Sequence, residues 1–382
     1  MKSTFTQNKL ICTIISETPY SKDSDGKLVG LDPTVEEIDH LSSLFKRVFH
    51  FAPVHNTPSP ASFIKHRKPS VKIIPMIPAG GGNILKKLKH VFLFCYHLLK
   101  IWPYLKKSDI IHFRAPTGFG VLFLPWLLLF WKKKIWIKYG GSWNSKDVPA
   151  TYKFQRWLTL LFPEDAIITI NNSVETLGRN FFHFYNPCFK RSIIKANKTI
   201  VNKKNFDNGL DLVFVGRVEK NKGIDHIFKV FEKIDQMGNI NSLKIIGGSE
   251  KERYYNDKAS KISQKIVMLG LLSRKDIFRI YSKSHILILL SNSEGFPKVI
   301  MEAAVFGCVP VVSNFDGISK IIKHGNNGFV MNSPNAKYDY KDFQKIFNNK
   351  SILKKCSNNI FEKSHSFTYE KYLKNIENAI LH

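Results

Sequence analysis

The chain has 382 residues, room for two domains of ordinary size with separate cores. Hydrophobic residues at 43% and aromatics at 13% exclude a disordered chain. A formal charge of +28 points to a polyanionic partner, and the lack of any recognition motif sets nucleic acid aside in favour of an anionic membrane or a phosphate-rich substrate.

Polar residues run straight into a strand at Leu10–Ser16, which reads as a start without a secretory signal. Further short apolar strands are expected at Arg47–Pro53, Val71–Ile77, Asp109–Phe113, Lys134–Tyr139 and Ala166–Asn171. Between them, Ile84–Leu105 carries Lys86, Lys87, Lys89 and Lys100, with Lys106 and Lys107 just beyond. Gly118–Trp131 is almost wholly apolar and runs into Lys132-Lys133-Lys134. A membrane span needs about 20 apolar residues, and Pro125 interrupts this shorter run. It reads either as a buried helix between strands or as part of a surface resting on an anionic leaflet; the second is favoured.

Lys195–Asn208, rich in lysine and asparagine, reads as a linker, giving a first domain over 1–194 and a second over 195–366. The alternation restarts with strand Leu210–Val215, helix Ile224–Ile234 and strands Leu243–Ile246, Ile266–Leu269 and Ile286–Leu290. Phe367–Leu381 has helical spacing. Strands alternating with helices throughout predict an α/β fold of doubly wound parallel sheets. Five scattered cysteines (Cys12, Cys95, Cys188, Cys308, Cys356) without a C-x-x-C spacing fit reduced thiols of a cytosolic protein.

Two segments carry chemistry. The strand ending at Val215 stops at Gly216, presents Arg217 and Lys222, and starts a helix after Gly223. Free amides and partial positive charge at a helix start suit a phosphate; Arg217 can fork onto its oxygens and Lys222 adds a point charge. The second segment is Ser293-Glu294-Gly295-Phe296-Pro297-Lys298, followed by a short helix with Glu302 and a buried strand from Val309. A helix makes two turns in about seven residues, so Glu294 and Glu302 are expected to face one cleft from successive turns. Asp23-Ser24-Asp25, nominally a metal-binding Asp-x-Asp, sits in a polar loop and reads as chance.

Together these segments resemble the donor-sugar elements of the retaining glycosyltransferases of family 4: Gly-Arg-x4-Lys-Gly, and Ser-x-x-Glu-Gly-Phe-Pro followed by Glu-x7-Glu. The resemblance implies the GT-B fold, two Rossmann-like domains with a cleft between them, and hexosyl transfer from a nucleotide-diphosphate sugar, UDP or GDP, with no metal and no cofactor. It implies that Arg217, Lys222 and Gly216 hold the diphosphate and that Glu294 faces the donor sugar with Gly295, Phe296, Pro297 and Lys298. Glu302 would take the ribose hydroxyls, and Gly270 and Leu271 would seat the base. His112, read at the end of its strand, would bond the transferred sugar. Asn186-Pro187 would close the N-terminal domain, and 367–382 would pack back onto it. The implied route is front-face attack by a hydroxyl, the leaving phosphate taking its proton.

The acceptor side departs from the family. Thr18-Pro19-Tyr20 stands where the family has a Gly-Gly loop, and Tyr139-Gly140-Gly141-Ser142-Trp143 replaces its histidine-glycine. Gly140 and Gly141 are expected to approach the acceptor, with Trp143 stacking on it; Gly80-Gly81-Gly82 is a further candidate lining. The basic, apolar first half suggests a lipid-linked saccharide acceptor and a cytoplasmic protein lying on the inner membrane face. Two rivals stand beside this reading: a phosphorylase or sucrose-synthase-like enzyme of the same fold, and a degenerate sugar-nucleotide-binding subunit.

Overall fold

The computed structural model describes residues 9–78, 84–141, 143–144, 148–171, 177–292, 294, 296–315, 317–332 and 338–381. The chain divides into two compact units, Met1–Asn186 with Lys371–His382, and Pro187–Glu370.

The first unit is built on β1 (Ile11–Ile15), β2 (Tyr20–Lys22), β3 (Leu28–Leu31), β4 (Arg47–Pro53), β5 (Phe63–Ile64), β6 (Val71–Met76), β7 (Ile110–Ala115), β8 (Lys134–Tyr139), β9 (Ile167–Ile170) and β10 (Phe181–His183). Its helices are α1 (Asp32–Leu41), α2 (Ile84–Lys107), α3 (Gly120–Phe130) and α4 (Ala150–Leu160). The main sheet has the order β10-β9-β8-β7-β1-β4-β6 and is parallel throughout; β2, β3 and β5 form a small antiparallel sheet. Successive side chains of a strand face opposite ways, and both faces are apolar here, as a parallel sheet covered by helices requires. Ile15, Phe51, Phe113 and Ile137 pack with Ile101 and Leu105 of α2 and Phe123 and Leu127 of α3. Ile14, Val48 and Trp136 on the other face pack with Ile38 and Leu41 of α1 and with Tyr372 and Ile376 of the returning segment.

The second unit holds β11 (Leu210–Val215), β12 (Ile240–Ile246), β13 (Ile266–Met268), β14 (Ile286–Leu289), β15 (Val309–Ser313) and β16 (Phe329–Met331). Its helices are α5 (Arg191–Lys203), α6 (Ile224–Ile234), α7 (Glu252–Ile262), α8 (Arg274–Lys283), α9 (Lys298–Ala304), α10 (Ile318–Ile321), α11 (Tyr340–Asn348) and α12 (Lys350–Ser364); α13 (Tyr369–Ile376) begins here and runs into the first unit. The sheet order β13-β12-β11-β14-β15-β16 is parallel and reverses its winding between β11 and β14. The first sheet reverses likewise between β7 and β1. Ligands of such sheets lie beyond the carboxyl ends of the strands at that reversal.

Three expectations change. Lys195–Asn208 is not a linker: α5 runs to Lys203 and buries Asn197 and Val201. The division falls after Asn186, eight residues before the expected 194. β7 also continues past Phe113 to Ala115, which moves His112 from the strand end to its middle.

Candidate functional site

In the second unit, the carboxyl ends of β11 and β14 are tied together by one glycine. Gly223 has φ +76°, and a Cβ there would lie 1.9 Å from the carbonyl oxygen of Leu290. Only glycine both adopts this conformation readily and allows that approach. The loop from Gly216 to Gly223 therefore lies directly against the chain leaving β14. Gly216 itself donates its N–H to the Ile246 carbonyl at 3.0 Å, continuing the ladder one residue past β11.

This contact brings Lys222 to Glu294. The ammonium stands 2.8 and 2.9 Å from the two carboxylate oxygens, and the hydroxyl of buried Ser291 donates to the same carboxylate at 2.8 Å. The Glu294 side chain is 11% exposed and that of Lys222 23%, so the pair is shielded but open to a ligand. Arg217 is different: its side chain is 75% exposed, its Nε 3.3 Å from Glu219. It lines a cavity of about 620 Å³ together with Lys220, Gly248, Tyr255, Gly270 and Leu271. Gly270 has φ +63° and accepts the Gly247 N–H at 2.8 Å, which fixes that loop beside Arg217. Structure thus gathers Arg217, Gly270 and Leu271 in one cavity, and Lys222 with Glu294 at the reversal of the sheet.

Glu294 and Glu302 do not sit on successive turns of one helix. Glu294 precedes α9 in a loop, and Glu302 lies on α9, where it is buried. Its carboxylate accepts from Arg274 at 2.9 Å; the same guanidinium donates to the Cys188 carbonyl and stacks over Phe278 with its centre 5.1 Å from the ring. Sequence reasoning missed Arg274, the first residue of α8, because nothing in its local pattern singles it out. Pro297 caps α9, Lys298 opens it, and Phe296 stacks on Phe367 at 5.6 Å. Gly295 lies outside the described residues.

In the first unit, two expected ligand contacts are instead core. His112 is fully buried, stacked on Trp136 with centroids 3.6 Å apart, its Nδ1 3.3 Å from the Trp136 carbonyl. Burial, then the charges of Arg114 and Lys138, hold its imidazole well below the ordinary range. A neutral ring sealed at mid-strand is not placed to touch a sugar. Trp143 is buried too, edge-on to Tyr139 and Phe181 at 5.1 and 5.5 Å, so its face is not offered for stacking. Gly140 and Gly141 do reach a cavity, of about 410 Å³, which they line with Ser16, Glu17, Thr18, Arg114, Thr117 and Tyr152. It lies at the reversal between β7 and β1. Arg114, which the sequence reading left beyond the strand, pairs with fully buried Glu37 at 3.4 Å, and Lys138 holds the same carboxylate at 2.5 Å. Gly80-Gly81-Gly82 lies outside the described residues. Asp23 pairs with Lys65 at 2.6 Å in the turn between β2 and β3, which holds its carboxyl below the ordinary range.

Residues 196–363 match the family model of the glycosyl transferases group 1. An uncharacterized glycosyltransferase of Haemophilus influenzae is 26% identical over 55% of this chain and 59% of its own length. A GalNAc-alpha-(1->4)-GalNAc-alpha-(1->3)-diNAcBac-PP-undecaprenol alpha-1,4-N-acetyl-D-galactosaminyltransferase of Campylobacter jejuni is 23% identical over 57% of this chain and 60% of its own. The chain thus spans less than two thirds of the length of these relatives. Anabaena HepE, solved in complex with UDP-glucose, is similar over 97% of this chain and 99% of its own, with TM-score 0.67 and 13% identity. That likeness shows the fold, two Rossmann-like parallel α/β units of the GT-B class.

Proposed function

We propose that this chain, which carries a glycosyl transferases group 1 domain, moves a sugar from a nucleotide-diphosphate sugar to a hydroxyl acceptor, with retention of configuration and without a metal. One observation supports the reading: Lys222, just before the start of α6, pairs with Glu294 where the second sheet reverses, while Arg217 lines a separate cavity with Gly270 and Leu271. Breaking a sugar–phosphate bond leaves negative charge on the diphosphate. Fixed cations and helix-terminal amides stabilise it there, an effect of about 3–4 kcal/mol per well-aimed donor. A diphosphate arriving at Lys222 competes with Glu294 for the ammonium and releases the carboxylate toward the sugar. Glu302, whose Oε1 is held by Arg274, offers its other oxygen to the ribose. Gly270 and Leu271 seat the base of the nucleotide, UDP or GDP.

The C. jejuni relative is named for a lipid-linked acceptor, and we propose the same class here, with the first unit resting on an anionic membrane. Among the described residues no helix is long and apolar enough to cross one. Phe92 and Leu99 of α2, Leu129 and Phe130 of α3 and Trp157 and Leu160 of α4 are nevertheless exposed. Trp102, Trp126 and Trp131 join α2 to α3, and Lys106 and Lys133 cap Trp102 and Trp131 at 5.2 and 6.0 Å. Apolar side chains fringed by lysines suit an anionic interface.

Thermal unfolding with UDP, GDP, ADP and CMP in excess chelator tests the donor site. A nucleotide at about 100 times its dissociation constant adds about 2.7 kcal/mol of stability. Stabilisation by one nucleotide, lost in Arg217→Ala, is expected; no shift with any of them refutes the assignment.

A further inference from the structure

We propose that the first unit contains a directed hydrogen-bond relay, Ser16–His50–Tyr20–His66–Asp39, that draws the proton from the acceptor hydroxyl. The inference rests on the glycosyl-transfer reading and extends it to the fate of one proton. Ser16 follows β1 and lines the cavity of Gly140 and Gly141. Its hydroxyl is 2.8 Å from Nε2 of His50 on β4, whose Nδ1 is 3.1 Å from the Tyr20 hydroxyl on β2. That hydroxyl is 2.8 Å from Nε2 of His66, and Nδ1 of His66 is 2.6 Å from the Asp39 carboxylate on α1. The second Asp39 oxygen accepts the Arg67 N–H at 2.8 Å. Gly30 is built to admit the Tyr20 ring: a Cβ there would lie 2.5 Å from it.

The carboxylate at one end sets the sense of the whole chain. Asp39 only accepts, so His66 carries its proton on Nδ1 and accepts from Tyr20 through Nε2. Tyr20 then accepts from His50, and His50 accepts from Ser16. Every donor points away from the cavity, and the Ser16 oxygen, which also accepts the Thr18 N–H at 3.3 Å, keeps one lone pair for a hydroxyl held there. Ser16, His50, Tyr20 and Asp39 are buried, which strengthens each link and makes charge on an inner member costly. Burial holds the His50 imidazole well below the ordinary range, reinforced by His66, Arg114 and His112. It raises the Tyr20 hydroxyl, against the pull of Arg114 and with the push of Asp39. Neither stores charge, so a proton passes them in one concerted movement. Arg114 repels it from the cavity end, and the Asp39 carboxylate draws it toward His66 at the other, where Glu36 faces Arg67 at 2.6 Å and His40 at 3.7 Å.

The step balances. The acceptor O–H breaks and its proton goes to the Ser16 oxygen as the Ser16 proton moves to His50. The His50 Nδ1 proton moves to Tyr20, and the Tyr20 proton to His66, leaving an imidazolium beside the Asp39 carboxylate. The electron pair freed on the acceptor oxygen forms the bond to the anomeric carbon, and the departing diphosphate keeps the electrons of the broken bond. The relay thus offers the proton a second destination besides that diphosphate.

The test uses the full chain with UDP- and GDP-hexoses as donors and octyl glycosides or water as acceptors, reading nucleotide release. Tyr20→Phe keeps the ring and cuts the relay at its centre. It is expected to lower kcat about 100-fold, the scale of a lost proton acceptor, with the KM for donor unchanged. The rate in mixed H2O and D2O, bowed for several protons in flight, becomes linear. Ser16→Ala, at the cavity end, is expected to do the same should Tyr20→Phe not fold. Rates within twofold of wild type and an unchanged isotope curve in a folded variant overturn the relay and leave the proton with the diphosphate. Nucleotide-induced thermal stabilisation, which must persist in both variants, reports separately on the donor site.

Discussion

Replacing Glu294 with glutamine is expected to tighten UDP binding while abolishing turnover. In the protein itself Lys222 is held by both Glu294 oxygens at 2.8 and 2.9 Å, so a diphosphate must displace a bidentate carboxylate before it gains the ammonium. A charge-assisted hydrogen bond contributes about 1.5–3 kcal/mol net, and the partial exposure of Lys222, 23%, halves that to about 1 kcal/mol. Removing the competing charge returns that amount to the ligand, about a fivefold lower Kd by the usual conversion. In the proposed function this carboxylate faces the sugar, so transfer is expected to fall by about 100-fold or more. Titration calorimetry with UDP, beside nucleotide release from the UDP-sugar, reads both quantities in one preparation. An unchanged or weaker UDP affinity in Glu294→Gln would refute the idea that Lys222 is shared between carboxylate and diphosphate.

Three further outcomes follow from the geometry. Ile376→Ala opens a hole in the core that α13 closes with Ile38 and Leu41, and is expected to cost about 2–5 kcal/mol in denaturant unfolding. Arg274→Ala leaves Glu302 buried without that guanidinium and is expected to weaken nucleotide binding at least tenfold in calorimetry; an unaltered Kd would separate this pair from the ribose. The third concerns pH. Burial lowers the folded-state pKa of His112 below its unfolded value of 6.5, so folding is favoured above that value and loses stability as pH falls through it. One such group contributes a slope of up to about 1.4 kcal/mol per pH unit between roughly pH 6.5 and 5. His112→Phe, which keeps the stack on Trp136, is expected to flatten the melting profile in that window.

Strands were legible where one signal dominated. Lys134–Tyr139 and Leu210–Val215 are apolar runs bounded by polar turns, and both ends were read correctly. The helix Ile224–Ile234 announced itself by its apolar periodicity and the glycine before it. Composition misled at α5: its surface lysines and asparagines hide a buried stripe at Asn197 and Val201, which only the covering partners reveal. The short β2, β3 and β5 carry too few residues for a periodic pattern, yet β2 supplies Tyr20. Motif spacing singled out Arg217, Lys222 and Glu294 because their loops are local in sequence, and the structure pairs the last two. Arg274 and Arg114 escaped, since each matters through a carboxylate 28 or 77 residues away. Trp143 and His112 misled for the opposite reason. Both residue types serve ligands and cores equally well, and only the packing of Tyr139, Phe181 and Trp136 decides between them.

The return of Lys371–His382 to the first unit makes the second unit, topologically, an insertion. Residues 187–370 are one uninterrupted stretch, and their two ends clasp each other: Cys188 donates to Phe367 at 2.8 Å and Tyr369 to Phe189 at 3.0 Å. During synthesis the second unit has all its residues before Tyr372 and Ile376 exist to cover Ile38, Leu41 and Trp136. The order of emergence and the order of completion are therefore inverted. The half made first is the half finished last, with part of one apolar face of its sheet uncovered while 184 residues are added, from 187 through 370. A chain shortened by a dozen residues at its end would keep every strand of both sheets and still leave that opening half incomplete.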